Sequence, residues 1–190
     1  MDERTKIAPL STPASPIDPG VRIGHVHLKV AEIDRALKFY CGVLGFELMQ
    51  RLGDQAAFIS AGGYHHNIGL NTWESQGGRP PPFGSTGLYH LAILYPDRPA
   101  LADALRRLIE AKIPLDGASD HGVSEALYLR DPDDNGVELY WDRSRDVWPL
   151  TADGKIAMFT RRLDLANLLA AAPQPPQQAS PSAPETVRDP

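Results

Sequence analysis

The sequence predicts an α+β fold made of two βαβββ modules. Two observations carry this prediction: a strand, a helix and three short strands follow one another between residues 22 and 73, and the same order recurs between residues 87 and 143. Two such modules can pair into a curved, partly open barrel-like sheet, with the helices outside and inward-facing side chains lining a cleft.

The first predicted strand, residues 23–30, alternates apolar and polar side chains. This alternation sends Val26 and Leu28 to one face, where they can cover a helix. It sends His25 and His27 to the opposite face. The two histidines are therefore rivals for one role on that face.

Apolar residues at three- and four-residue spacing predict the helix of the first module. They are Ile33, Ala36, Leu37, Tyr40 and Leu44. Gly45 is expected to end this helix as its C-cap. Short alternating runs separated by glycines predict the three strands that follow, at residues 46–51, 56–61 and 66–72.

The second module opens with a predicted strand at residues 88–95, in which His90 is an isolated imidazole among residues that favour burial. Pro99 and an apolar stripe predict a helix from about residue 98 to residue 111. Three strands are expected after it, near residues 117–125, 126–130 and 137–141. The turn residues 131–136 precede the last of these.

Three residues whose side chains commonly bind metals each lie within an otherwise apolar predicted strand: His25, His90 and Glu138. A carboxylate between Val137 and Leu139 is costly to bury as a bare ion, and a metal would compensate that cost. Two histidines and one carboxylate on one side of a divalent metal leave the other positions open, as in oxygen-activating ferrous enzymes. The sequence therefore predicts an Fe(II) site, with Mn(II) as the alternative metal.

Composition narrows the function classes. The 190 residues are 42% hydrophobic, which suits one domain with a sizeable core. A formal net charge of -5, without a basic cluster interleaved with aromatics, argues against a nucleic-acid partner. Cys41 is the only cysteine, which fits a reducing, cytoplasmic setting. Neither a signal peptide nor a membrane-spanning run is expected.

The segments around the two modules are predicted from composition and periodicity. Residues 1–21 are expected to be an extended arm, and residues 144–172 a C-terminal arm with a short helix. The proline-rich residues 173–190 are expected to be disordered. The domain that carries the chemistry is then residues 22–143.

The motifs resemble those of the vicinal oxygen chelate superfamily, which includes glyoxalases, antibiotic-resistance proteins and type I extradiol ring-cleaving dioxygenases. The matching residues are His-x-x-Leu-x-Val at 25–30, Phe39-Tyr40 with Leu44-Gly45-Phe46, His90, and Asp131-Pro132-Asp133 leading into Val137-Glu138-Leu139. Within the superfamily the chain looks most like catechol 2,3-dioxygenase-type proteins, on residues 63–73 and 127–132.

The resemblance implies a role for each candidate residue. The implied iron ligands are His25, His90 and Glu138, the implied acid–base histidine is His66, and the implied substrate contacts are His121 and Tyr128. Alternation lets only one of His65 and His66 face a cleft, so His65 stays an alternative. His121 lies beside a glycine, and a surface-loop histidine is the alternative there. The fourth ligand usual in glyoxalases falls on Gly69, which has no ligand atom.

The predicted function is therefore an Fe(II)-dependent extradiol dioxygenase that cleaves a catechol-type ring with O2. A metal-dependent lyase or isomerase of the glyoxalase kind, using Mn, Ni or Zn, is the first alternative. A non-catalytic protein that binds a small molecule such as an antibiotic is the second. The expected partners are the catechol-type substrate and O2, with no nucleic acid and no membrane. Edge strands that pair would give a homodimer.

Overall fold

The computed structural model describes residues 15–173, and the predictions for residues 1–14 and 174–190 lie outside this range. The described residues form nine strands and three helices in the predicted order. These are β1 (Val26–Lys29), α1 (Ile33–Tyr40), β2 (Glu47–Leu52), β3 (Ala56–Ser60), β4 (Ile68–Asn71), β5 (Leu91–Leu94), α2 (Arg98–Glu110), β6 (Gly117–Asp120), β7 (Ser124–Arg130), β8 (Gly136–Asp142), β9 (Arg161–Arg162) and α3 (Leu165–Leu169).

Each module builds its own sheet with the same strand order. The first sheet runs β1-β4-β3-β2, and the second runs β5-β8-β7-β6 with the short β9 added at its edge. In both sheets the first strand lies parallel to the last strand of its module, while the other pairs are antiparallel. The α+β class and the two βαβββ modules are confirmed, and the sheets remain open.

The helices and the inner faces of the sheets share a hydrophobic core. In β1, Leu28 is buried and Val26 packs against the core, whereas His27 and Lys29 are exposed, as the alternation predicts. Helices α1 and α2 supply apolar stripes to the same core. No helix within residues 15–173 is both long enough and apolar enough to cross a bilayer.

The first helix is shorter than predicted. It ends at Tyr40 with Cys41 as its C-cap, so the prediction that Gly45 caps it is wrong. A turn follows, in which the N–H groups of Val43 and Leu44 donate to the carbonyl oxygen of Phe39. Gly45 lies at the end of this turn with a φ of +88°, a left-handed conformation that residues with a side chain rarely adopt. A glycine at this position therefore allows the chain to turn into β2.

The turn between β7 and β8 ties the second module to the first helix through two buried carboxylates. Tyr40 donates its hydroxyl to Asp131 at 3.0 Å. Asp133 accepts the backbone N–H of Ala31 at 2.9 Å and an N–H of Arg35 at 2.5 Å. Burial raises the pKa of the Asp131 carboxyl and that of the Tyr40 hydroxyl. The predicted turn therefore also joins the modules.

The chain after β8 returns to the second sheet. Strand β9 pairs with β6, and Leu163 and Leu168 are buried in the core. Arg98, at the start of α2, donates to the side chains of Asn167 and Glu125, both at 2.8 Å. The C-terminal segment is thus packed against the sheet that carries His90 and Glu138.

Replacing Tyr40 with phenylalanine should lower the free energy of unfolding by about 1–3 kcal/mol, because it removes a hydrogen bond to a buried carboxylate. Urea unfolding followed by circular dichroism measures this loss. Tyr64→Phe is the matched control, since Tyr64 is 44% exposed and should change stability by about 0.5 kcal/mol or less. Equal effects of the two variants would contradict the role assigned to Tyr40.

Candidate functional site

The predicted site residues gather in two clusters, one on each sheet. The three-histidine cluster on the first sheet consists of His25, His27 and His66. The second-module cluster consists of His90, Glu138, Tyr128 and His121. The two clusters differ in their chemistry, because the first contains imidazoles alone and the second includes a carboxylate and a phenol.

Strand pairing places the three histidines together. His25 precedes β1 and His27 lies within it, so both point away from the core. His66 lies just before β4, the parallel neighbour of β1, and its ring centroid is 4.4 Å from that of His25 and 5.9 Å from that of His27. Each residue offers one ring nitrogen, and these nitrogens all lie within 4.8 Å of one another.

His27 is held in place by the residues around its ring. Gly69 lies beneath it, and a Cβ on Gly69 would come within 2.4 Å of the His27 Nε2. The indole of Trp73 stacks on the ring at 5.9 Å between centroids, and the side-chain amide of Asn71 lies 3.4 Å from Nδ1. The glycine at the position where glyoxalases usually place a fourth ligand therefore makes room for His27.

His66, and not His65, belongs to this cluster. His65 is exposed and packs on Tyr64, while its Nδ1 lies 2.7 Å from the Nδ1 of His66. The Nε2 of His66 is buried and has no hydrogen-bond partner among residues 15–173. Desolvation, followed by the imidazoles of His25, His65 and His27, lowers the pKa of His66. The ring is therefore favoured in its neutral form, which can accept a proton or bind a metal.

The second-module cluster is a continuous chain of polar contacts. The Nε2 of His90 lies 2.8 Å from an oxygen of Glu138, because His90 precedes β5 and β5 is the parallel neighbour of β8. Tyr128 on β7 stands opposite Glu138 in the register, and its hydroxyl is 3.3 Å from the other carboxylate oxygen. The same hydroxyl is 2.7 Å from the Nε2 of His121.

His121 is oriented by the C-terminal segment. Its Nδ1 lies 3.1 Å from the carbonyl oxygen of Phe159, which can only accept, so Nδ1 carries a proton. In the neutral ring Nε2 is then an acceptor, and Tyr128 donates to it. The Tyr128 hydroxyl also lies 3.3 Å from an oxygen of Glu138, which can only accept. The alternative of a free surface-loop histidine does not describe His121, which is half-buried.

The predicted metal ligands are divided between the two clusters. His90 and Glu138 are in contact, whereas His25 lies with His27 and His66. Within residues 15–173 the ligand atoms of His25, His90 and Glu138 do not all come within 4.8 Å of one another. The sequence predicted His25 as the metal ligand and left His27 as its rival for that role. The His-x-His spacing in β1 was the signal that both rings share one face.

This chain is similar to a protein family and to several known proteins. The model of the Glyoxalase/Bleomycin resistance protein/Dioxygenase superfamily matches residues 22–139. A catechol-2,3-dioxygenase of Bacillus subtilis (strain 168) is 43% identical over 148 residues, which are 77% of this chain and 50% of that protein. A biphenyl-2,3-diol 1,2-dioxygenase of Rhodococcus globerulus is 32% identical over 126 residues, 64% of this chain and 63% of that protein. The chain thus spans about half to two thirds of these relatives.

A solved structure supports the fold. The crystal structure of a glyoxalase/dioxygenase from Nostoc punctiforme superposes with a TM-score of 0.55 at 20% sequence identity. The superposition covers 70% of this chain and 100% of that chain. At this identity the likeness concerns the fold alone, and it agrees with the two-module architecture.

The hydroxyl of Tyr128 should ionise at a higher pH than that of a solvent-exposed tyrosine. Desolvation, and then the carboxylate of Glu138, raises its pKa from 10.0 to about 12. A difference titration at 295 nm between the wild type and Tyr128→Phe should therefore have its midpoint at about 12. Glu138→Gln is the control, because removing the negative charge should move this midpoint down towards 10. A wild-type midpoint near 10 would contradict the contact.

Proposed function

We propose that this chain, which belongs to the Glyoxalase/Bleomycin resistance protein/Dioxygenase superfamily, is a metal-dependent extradiol dioxygenase that opens a catechol-type ring with O2. Membership of the superfamily confirms the resemblance inferred from the motifs. The observation that carries the activity is the contact between His90 and Glu138 beside Tyr128 and His121, in a chain 43% identical over 148 residues to a catechol-2,3-dioxygenase.

The ligands of the metal, in this proposal, are His25, His90 and Glu138, with Fe(II) as the metal and Mn(II) as the alternative. Two neutral nitrogens and one carboxylate oxygen are a donor set suited to such metals. His90 and Glu138 already lie side by side, and the buried Nδ1 of His90 has no partner within the described residues. His25 occupies in the first module the place that His90 occupies in the second, directly before the first strand.

The chain's own residues would handle the protons of the reaction. The bound metal would supply orientation of diol and O2 and transfer of charge between them. His66, whose pKa is lowered by desolvation and by neighbouring imidazoles, would take a proton from a substrate hydroxyl at its unpartnered Nε2 and return it later.

Tyr128 and His121 would bind and orient a substrate oxygen. The hydroxyl of Tyr128 lies between His121 and Glu138, so it can exchange either partner for a substrate oxygen. The Phe159 carbonyl keeps the His121 ring aimed at Tyr128. Because desolvation and Glu138 raise the pKa of Tyr128, the phenol stays protonated and can donate throughout the neutral range.

Alanine substitution tests the ligands one at a time. His25→Ala, His90→Ala and Glu138→Ala should each abolish stoichiometric Fe(II) binding, measured by anaerobic loading, desalting and iron analysis. Asp116→Ala is the matched control, since Asp116 is an exposed carboxylate that pairs with Arg130. Iron retained in full by all three ligand variants would end this assignment.

Substitution of the acid–base residue tests the mechanism. His66→Ala should keep its iron yet lose about 10²- to 10⁴-fold in turnover, the usual contribution of a proton-transfer group. Oxygen uptake and the yellow ring-opened product measure turnover. Unchanged turnover in His66→Ala, with a loss in His65→Ala, would move the role to His65. Turnover with a redox-inert metal and no oxygen uptake would instead identify a lyase or isomerase. Tight ligand binding without metal or turnover would identify a binding protein.

A further inference from the structure

We propose that the three-histidine cluster is a Zn²⁺ site in its own right, formed by His25, His27 and His66. The site uses His25 and His66, the residues that the proposed dioxygenase needs as a metal ligand and as its acid–base group. Zinc on this cluster would therefore compete with the catalytic metal for one ligand. The existence of the zinc site stands independently of the proposed function, whereas the competition rests on it.

The backbone already brings the three ligands to one place. His25 and His27 are two residues apart on one face of β1, and His66 precedes the adjacent parallel strand. Their ring nitrogens lie within 4.8 Å of one another. A tetrahedral zinc with Zn–N bonds of about 2.0–2.1 Å needs nitrogens about 3.4 Å apart. His25 is exposed, so its side chain can move towards His27 and His66 to close this gap.

The donor set favours zinc. Three neutral imidazoles without a carboxylate suit a borderline-soft cation, and Zn²⁺ commonly takes three protein ligands with a fourth position left to water. The exposed edge of the cluster gives that fourth position access to solvent. The buried Nε2 of His66, which has no hydrogen-bond partner within residues 15–173, is a separate sign that an acceptor of its lone pair is missing.

His27 is positioned as a ligand by its surroundings. Because Gly69 has no side chain, the His27 ring can lie against it, in a space that we call the Gly69 notch. The indole of Trp73 stacks on the His27 ring. The amide of the buried Asn71 lies 3.4 Å from Nδ1. Rotation of this amide by about 180° would place its oxygen beside Nδ1, where it can accept the Nδ1 proton. That arrangement would leave Nε2 free for a metal, as outer partners of zinc-bound histidines commonly do.

Zinc binding by the full chain tests the site directly. Metal-free wild-type protein should bind one Zn²⁺ in competition with a chromophoric chelator, and Co²⁺ in its place should give the intense visible absorption of a four-coordinate site. His27→Gln should weaken zinc binding at least tenfold, since even loss of an outer partner costs about 10- to 100-fold. His90→Ala should leave this binding unchanged. Unaltered zinc affinity in His27→Gln would overturn the proposal, as would an equal loss in His90→Ala.

A second variant distinguishes the loss of the zinc site from a folding defect. Gly69→Ala places a methyl group against the His27 ring and should weaken zinc binding while all three histidines remain. Circular dichroism shows whether each variant is folded, and wild-type affinity in a folded Gly69→Ala would contradict the role of the notch. Zinc should inhibit oxygen uptake by the wild type and inhibit His27→Gln at least tenfold less. If the chain has no dioxygenase activity, the zinc affinities still decide the site.

Discussion

The parallel pairing of the first and last strands of each module is the constraint on which both clusters depend. In the first sheet it sets β1 beside β4, so that two histidines of one strand meet the histidine that precedes the other. In the second sheet it sets β5 beside β8, so that His90 touches Glu138. The same backbone rule, applied twice, produces two clusters with different side chains.

The two clusters have complementary chemistry. The first contains imidazoles alone, and desolvation, followed by the neighbouring imidazoles, lowers the pKa of His66. The second contains a carboxylate whose charge favours the protonated phenol of Tyr128. A histidine whose pKa is lowered and a tyrosine whose pKa is raised thus lie on separate sheets.

Segments at the margins of the modules hold these clusters in place. The turn before β8 binds the first helix through Asp131 and Asp133, and the same turn leads directly to Glu138. The C-terminal segment supplies the carbonyl oxygen of Phe159 that orients His121. Both contacts join residues that are far apart in sequence, so the position of the second-module cluster depends on the first helix and on the C-terminal segment.

Local periodicity was enough to predict the two modules and the outward face of His25 and His27, because each follows from a few neighbouring residues. Tertiary structure alone decided that His66 rather than His65 meets His25, that Gly69 holds His27, and that Gly45 follows a turn instead of capping a helix. These outcomes depend on strand register and close approach between distant segments, and no local pattern encodes such distances.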